Sequence, residues 1–184
     1  MEQQSEFDAT SAALGAALEH QAQAWVRATG QGPVFEMLYP DAEPVIFDLN
    51  LQADGEAPWT PAPKARGTSD LTQLLPRLPS PRASLRAYFN SWWFCSLDIG
   101  FGEWGLTLEP VMPGEGLRGL TEKYRGYHES FPDAPPELVP LGLEANGDTL
   151  LFDNRDGSLF LEYWDTRART PLTDSLESLL RLVH

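Results

Sequence analysis

The chain has 184 residues, 42% of them hydrophobic and six of them tryptophan, which excludes a disordered segment and allows one domain with a substantial core. Thirteen basic and 27 acidic side chains leave a formal net charge of -14, a field that repels nucleic-acid phosphate and anionic lipid and argues against either as a direct ligand. No apolar run approaches the roughly 18 to 20 residues of a membrane-spanning helix. The first ten residues carry acids where a secretory signal carries bases, and Cys95 has no second cysteine to pair with, so a cytoplasmic protein is expected.

Residues from about Phe7 to Thr29 read as a helix, with Leu14, Leu18, Ala22, Trp25 and Thr29 along one side and Gly30 and Gly32-Pro33 to stop it. A short helical turn is expected at Val34 to Tyr39, then a strand at Pro44 to Asn50 with Val45, Phe47 and Leu49 on one face. Pro58, Pro61 and Pro63 make the next stretch irregular. Ser69-Asp70 caps a short helix towards Leu78. Leu85, Ala87, Phe89 and Ser91 alternate with Arg86, Tyr88, Asn90 and Trp92, which reads as the widest strand of a sheet, continuing through Trp93 and Phe94 to Leu97. The aromatic run is expected to be core, with Trp92 partly exposed. Gly100-x-Gly102 turns the chain, and Trp104, Leu106 and Leu108 return.

Leu117, Leu120, Tyr124, Tyr127 and Phe131 mark a helix at three- and four-residue spacing, followed by a strand from Glu137 to Leu143. Asn146-Gly147 signals a hairpin into Leu150 to Phe152, and Asp153 to Gly157 a second reversal into Leu159 to Trp164. After a polar connection, Thr173 or Asp174 stands as N-cap of a last helix, with Leu172, Leu176, Leu179, Leu180 and Val183 as its apolar stripe. A hairpin alone is marginal in water, so this stripe is expected to cover it and seed the core. The reading is an α+β fold: one domain over residues 1–184, with a single mixed or antiparallel, meander-like sheet of about six strands. N-terminal, middle and C-terminal helices pack on it.

No catalytic constellation emerges. His20, His128 and His184 lack partners at zinc-ligand spacing. Asp153 to Gly157 resembles the opening of a calcium loop, but its register puts Phe152 at the first ligand position and Tyr163 at the last. There is no phosphate-binding glycine loop and no nucleophile elbow. A carboxylate pair such as Asp153 with Glu162 arises by number alone in so acidic a chain. A non-enzymatic protein without cofactor or metal is expected.

Charge is unevenly spread. Up to Pro58 the only base is Arg27 against ten acids, and Ala87 to Leu117 contains Asp98, Glu103, Glu109 and Glu115 with no base. Such a surface attracts a basic protein partner. The series Asn154, Gly157, Glu162, Thr166-Arg167-x-Arg169-Thr170, Leu172 and Leu176 resembles the end of the Syd family, bacterial SecY-interacting proteins of the SUKH superfamily. Upstream, Pro33, Glu36, Leu38-Tyr39, Pro44 and Ile46 resemble that family's entry into its first strand. Trp59-x-Pro-x-Pro63 is similar to its tryptophan-and-proline stretch, and Phe101-Gly102-Glu103 with Leu106-Thr107-Leu108 to its central strand pair. The collinear order, from about Trp25 to Val183, carries the likeness.

The resemblance implies an acidic concave surface that receives basic cytosolic loops of SecY in monitoring translocon assembly. The protein would then be peripheral on the cytosolic face of the inner membrane of a Gram-negative-type bacterium, without direct lipid insertion. A monomer is expected. The candidate partner-binding residues are Glu36, Asp98, Glu103, Glu109, Asp153 and Glu162, gathered in a groove with Trp164 as an aromatic wall. Two alternatives stand beside this: an immunity protein of the SUKH superfamily that neutralises a basic nuclease toxin, and an uncharacterised hydrolase.

Overall fold

The computed structural model describes residues 2–36, 46–48, 56–65, 70–114 and 117–183, with Glu36 described in its backbone only. Helix α1 (Glu2–Thr29) buries Thr10, Ala13, Leu14, Ala17 and Leu18, one face at helical spacing. It ends at Gly30, whose φ of 75° closes the last turn. Strands β1 (Val34–Glu36) and β2 (Glu56–Pro58) pair antiparallel, so the expected helical turn at Val34 begins instead as a strand. Most of the strand expected at Pro44 to Asn50 lies outside the described residues, but Phe47 makes a bridge to Trp59. β3 (Ala62–Pro63) pairs with β4 (Trp92–Trp93). Asp70 caps α2 (Leu71–Leu74) by accepting the Thr72 amide at 2.9 Å.

The largest departure from the sequence reading is α3 (Ala83–Ser91), a helix where alternation suggested a strand. Leu85, Tyr88 and Phe89 are fully buried, an i, i+3, i+4 set; Leu85 and Phe89 also fit a period of two, and only Tyr88 breaks it over so short a run. Packing decides: α3 lies along the small-residue face of α1, where a strand's backbone would lack ladder partners.

The main sheet runs β10-β9-β8-β7-β6-β5, every neighbour antiparallel. Its strands are β5 (Leu97–Phe101), β6 (Trp104–Leu108), β7 (Leu138–Glu144), β8 (Thr149–Asp153), β9 (Leu159–Glu162) and β10 (Arg169–Thr173). Helix α4 (Arg118–Ser130) connects β6 to β7, and α5 (Leu176–Leu180) ends the chain. The expected α+β class and six-strand antiparallel meander are present, but membership differs. The stretch read as a polar connection after Trp164 is β10, and Ser175, not Thr173 or Asp174, caps α5 by accepting the Ser178 amide.

Leu97, Leu108, Leu150 and Leu161 lie in one row across the inner face and join residues of α1, α3 and α5 in the main core. Burying each such side chain stabilises the fold by roughly 1.5–3 kcal/mol. On the outer face Leu138, Leu151 and Phe160 pack under Tyr127, Phe131 and Ala134 of α4 and the turn after it. The Asp153–Gly157 reversal is a structural clamp. Asn154 accepts the Arg82 amide at 2.8 Å and donates to the Pro79 carbonyl at 3.0 Å, fixing the approach to α3.

Candidate protein-interaction face

Cross-strand register sets Asp98, Thr107, Leu143, Thr149, Glu162 and Arg169 in a single row over the outer face of the sheet. Residues directly opposite on neighbouring strands point to the same side, so this row divides according to what covers it. Towards β8, β9 and β10 it lies under α4. Towards β5 and β6 it is open, and Asp98, Thr107 and Leu143 are exposed.

Under α4, Glu162 is 2% exposed. Its Oε1 accepts the Tyr127 hydroxyl at 3.0 Å and meets Arg167 Nη1 at 2.9 Å, while Oε2 accepts Arg169 Nε at 2.8 Å. The Arg167 guanidinium lies 3.3 Å over the Phe131 ring and donates to the Tyr127 hydroxyl at 3.0 Å. Burial, with Glu162 beside it, raises the Tyr127 pKa, so the phenol stays a donor. Arg167 holds a φ of 60°, a left-handed conformation costing about 1–2 kcal/mol in a non-glycine residue, which its contacts to Glu162 and Phe131 offset.

Two more of the candidate carboxylates are also engaged internally. Glu109 is 4% exposed and pairs with Lys123 in the middle of α4. Gly119 makes room for it, since a Cβ there would clash with Glu109 Oε1. The helix N-terminus adds favourable partial positive charge. Asp153 is 3% exposed and is bound by the Arg155 guanidinium and the Arg155 amide. The expected groove is corrected at these three positions. Glu109, Asp153 and Glu162 are neutralised by bases of the same molecule, because a carboxylate this far from water needs a paired cation.

The others are dispersed. Asp98 stands on β5 and accepts the Thr107 hydroxyl at 2.7 Å, while its own amide donates to Gln21 Oε1 of α1 at 2.9 Å, satisfying a donor at the sheet's edge. Glu103 is exposed in the Gly102-Glu103 turn between β5 and β6, where Gly102 supplies the φ of 59°. Among the described residues no basic side chain pairs with either. Trp164 is 57% exposed at the β9–β10 turn, its ring edge-on to Phe131 at 5.0 Å. The backbone of Glu36 lies in the separate two-stranded sheet, opposite Glu56. The seven candidates therefore do not share one hollow; Asp98 and Glu103 share one hairpin.

Beside them lies an open row that no sequence motif marks as a site. Gly100 and Gly105 face each other across β5 and β6, and Ala145 donates its amide to the Gly105 carbonyl at 3.0 Å. The Gly100-x-Gly102 spacing signals a turn, but its first glycine lies in strand β5. Elsewhere, α1 and the Trp59–Pro61 stretch enclose a groove of about 920 Å³, lined by Ala12, Ala16, Ala22, Trp59, Pro61 and Trp92 among others. Among the described residues no group of three or more His, Cys, Asp or Glu is placed to hold a metal ion, and no helix is long and apolar enough to cross a membrane. Cys95 is buried, and burial pushes its thiol up to about 12. No known protein-family profile matches the chain, and no curated protein matches its sequence.

Proposed function

We propose that the protein is a non-enzymatic binding module for a basic segment of another protein, and that the partner is SecY, through the cytosolic loops that the resemblance to the Syd family implies. The observation that carries this reading is the β5–β6 hairpin. It holds Asp98 and Glu103 exposed and unpaired by any described base, on a rigid strand pair, in a chain of net charge -14. Carboxylates carried on an ordered hairpin present their charge to a partner without a backbone-ordering cost on binding. The surrounding negative field accelerates encounter with a basic loop and weakens as salt screens it. Attachment to the cytosolic side of the inner membrane follows from that contact and not from lipid.

The test is capture of SecY from detergent-solubilised inner membrane by the tagged protein, read by immunoblot. The Asp98→Lys, Glu103→Lys double variant is expected to retain the wild-type melting temperature and to lose about tenfold or more of the captured SecY, more so at low salt. Equal capture by the double variant and the wild type contradicts the reading.

A further inference from the structure

The outer face of β5, β6 and the end of β7 is a sheet surface that no described element covers, with an unusual row in it. Gly100, Gly105 and Ala145 lie side by side, all exposed, so no side chain larger than a methyl group rises from the surface there. The adjacent row, about 7 Å along the strands, is Asp98, Thr107 and Leu143, the last 42% exposed. The Glu103 turn closes the other side.

Glycine is the residue least suited to a strand interior, and it usually marks a bulge, a left-handed φ or the close approach of another group. The first two reasons fail here. Gly100 and Gly105 pair in regular register with no shift between them, and neither has a positive φ. The third finds no candidate among the described residues, since a Cβ built at either glycine meets nothing within 4 Å. What is left is close approach from outside.

The geometry points to this bare band as the floor of a docking site for an extended protein segment bearing lysine or arginine. A backbone or aliphatic stem lies flat on the glycine row, beside Leu143, and its cation reaches Asp98 or Glu103. Charge decides the occupant: the two carboxylates bordering the band have no basic partner among the described residues, and the molecule as a whole is strongly acidic. An anionic or purely apolar partner would leave them facing an unfavourable surface. The site deepens the binding role proposed above and rests on it for the partner's basic character, not for the partner's name.

The experiment uses the full chain and a synthetic peptide of about ten residues alternating lysine and threonine, a length that spans the strands in extended form, followed by amide NMR titration. Wild-type protein is expected to bind with shifts at Asp98, Gly100, Gly105, Thr107 and Leu143. Gly100→Thr with Gly105→Thr places β-branched side chains on the band in an allowed backbone conformation. It is expected to raise the melting temperature by a few degrees while weakening peptide binding about tenfold or more. Gly105→Ala, which adds a single carbon, serves as the milder variant and is expected to weaken binding less. Unchanged affinity in the folded threonine variant overturns the proposal, as does absence of wild-type binding to the peptide. Peptide binding on the band by a protein that fails to capture SecY upholds the site and refutes SecY as the partner.

Discussion

Glu162 carries its charge at 2% exposure because two arginines and a phenol converge on its oxygens. Replacing it by Gln removes the negative charge and leaves Arg167 and Arg169 facing each other under α4. Each arginine keeps about a third of its side chain in solvent (29% and 36%), so the cost falls below that of breaking a fully buried pair, at about 2–3 kcal/mol. Urea denaturation of Glu162→Gln is expected to show that loss with an unchanged slope; stability equal to wild type would mean the pairs contribute nothing. The acids, the arginines and Tyr127 are all visible in the sequence, but their pairing is not. Arg169 meets Glu162 only through the β9–β10 register, and Tyr127 arrives from a helix 35 positions away.

Lys64 joins two elements. Its amide donates to the Ser91 carbonyl at 2.8 Å and its ammonium to the Phe89 carbonyl at 2.8 Å, so it closes the C-terminal turn of α3, where positive charge is favoured. The ammonium also lies 3.8 Å from the centre of the Trp93 ring. Burial lowers its pKa from 10.5 to about 8. Below pH 8 both folded and unfolded chains hold the proton and the burial penalty is complete. Between pH 8 and 10.5 the unfolded chain binds more protons, so this group adds stability as pH rises. The melting temperature of the wild type minus that of Lys64→Met is therefore expected to become more positive from pH 7 to pH 9.5, by an amount equivalent to about 1–2 kcal/mol; a flat difference would refute the titration.

Elements were legible where length or a turn signal was strong. Helices α1 and α4 and the hairpins at Asn146-Gly147 and Asp153–Gly157 appear as expected. Helix α3 was misread because nine residues carry too few periods to separate alternation from a helical stripe. Strand β10 was missed because it is a polar edge strand with Pro171 in its middle, and its burial is slight.

At the scale of the molecule, the net charge of -14 does not translate into one acidic hollow. The fold consumes Glu109, Asp153 and Glu162 in internal pairs and leaves the negative field to residues such as Asp98 and Glu103. In the proposed binding role, composition supplies the sign of the partner and the sheet's register the place, because only the register shows that α4 covers one end of the outer face and leaves the glycine row at the other. The most direct measurement is an amide NMR titration of the protein with a peptide of a basic SecY cytosolic loop, at low and then high salt. Shifts centred on Asp98, Gly100, Gly105, Thr107 and Leu143 that fade with salt are the predicted result. Shifts centred on Trp164 and Phe131, or none at all, would contradict the account.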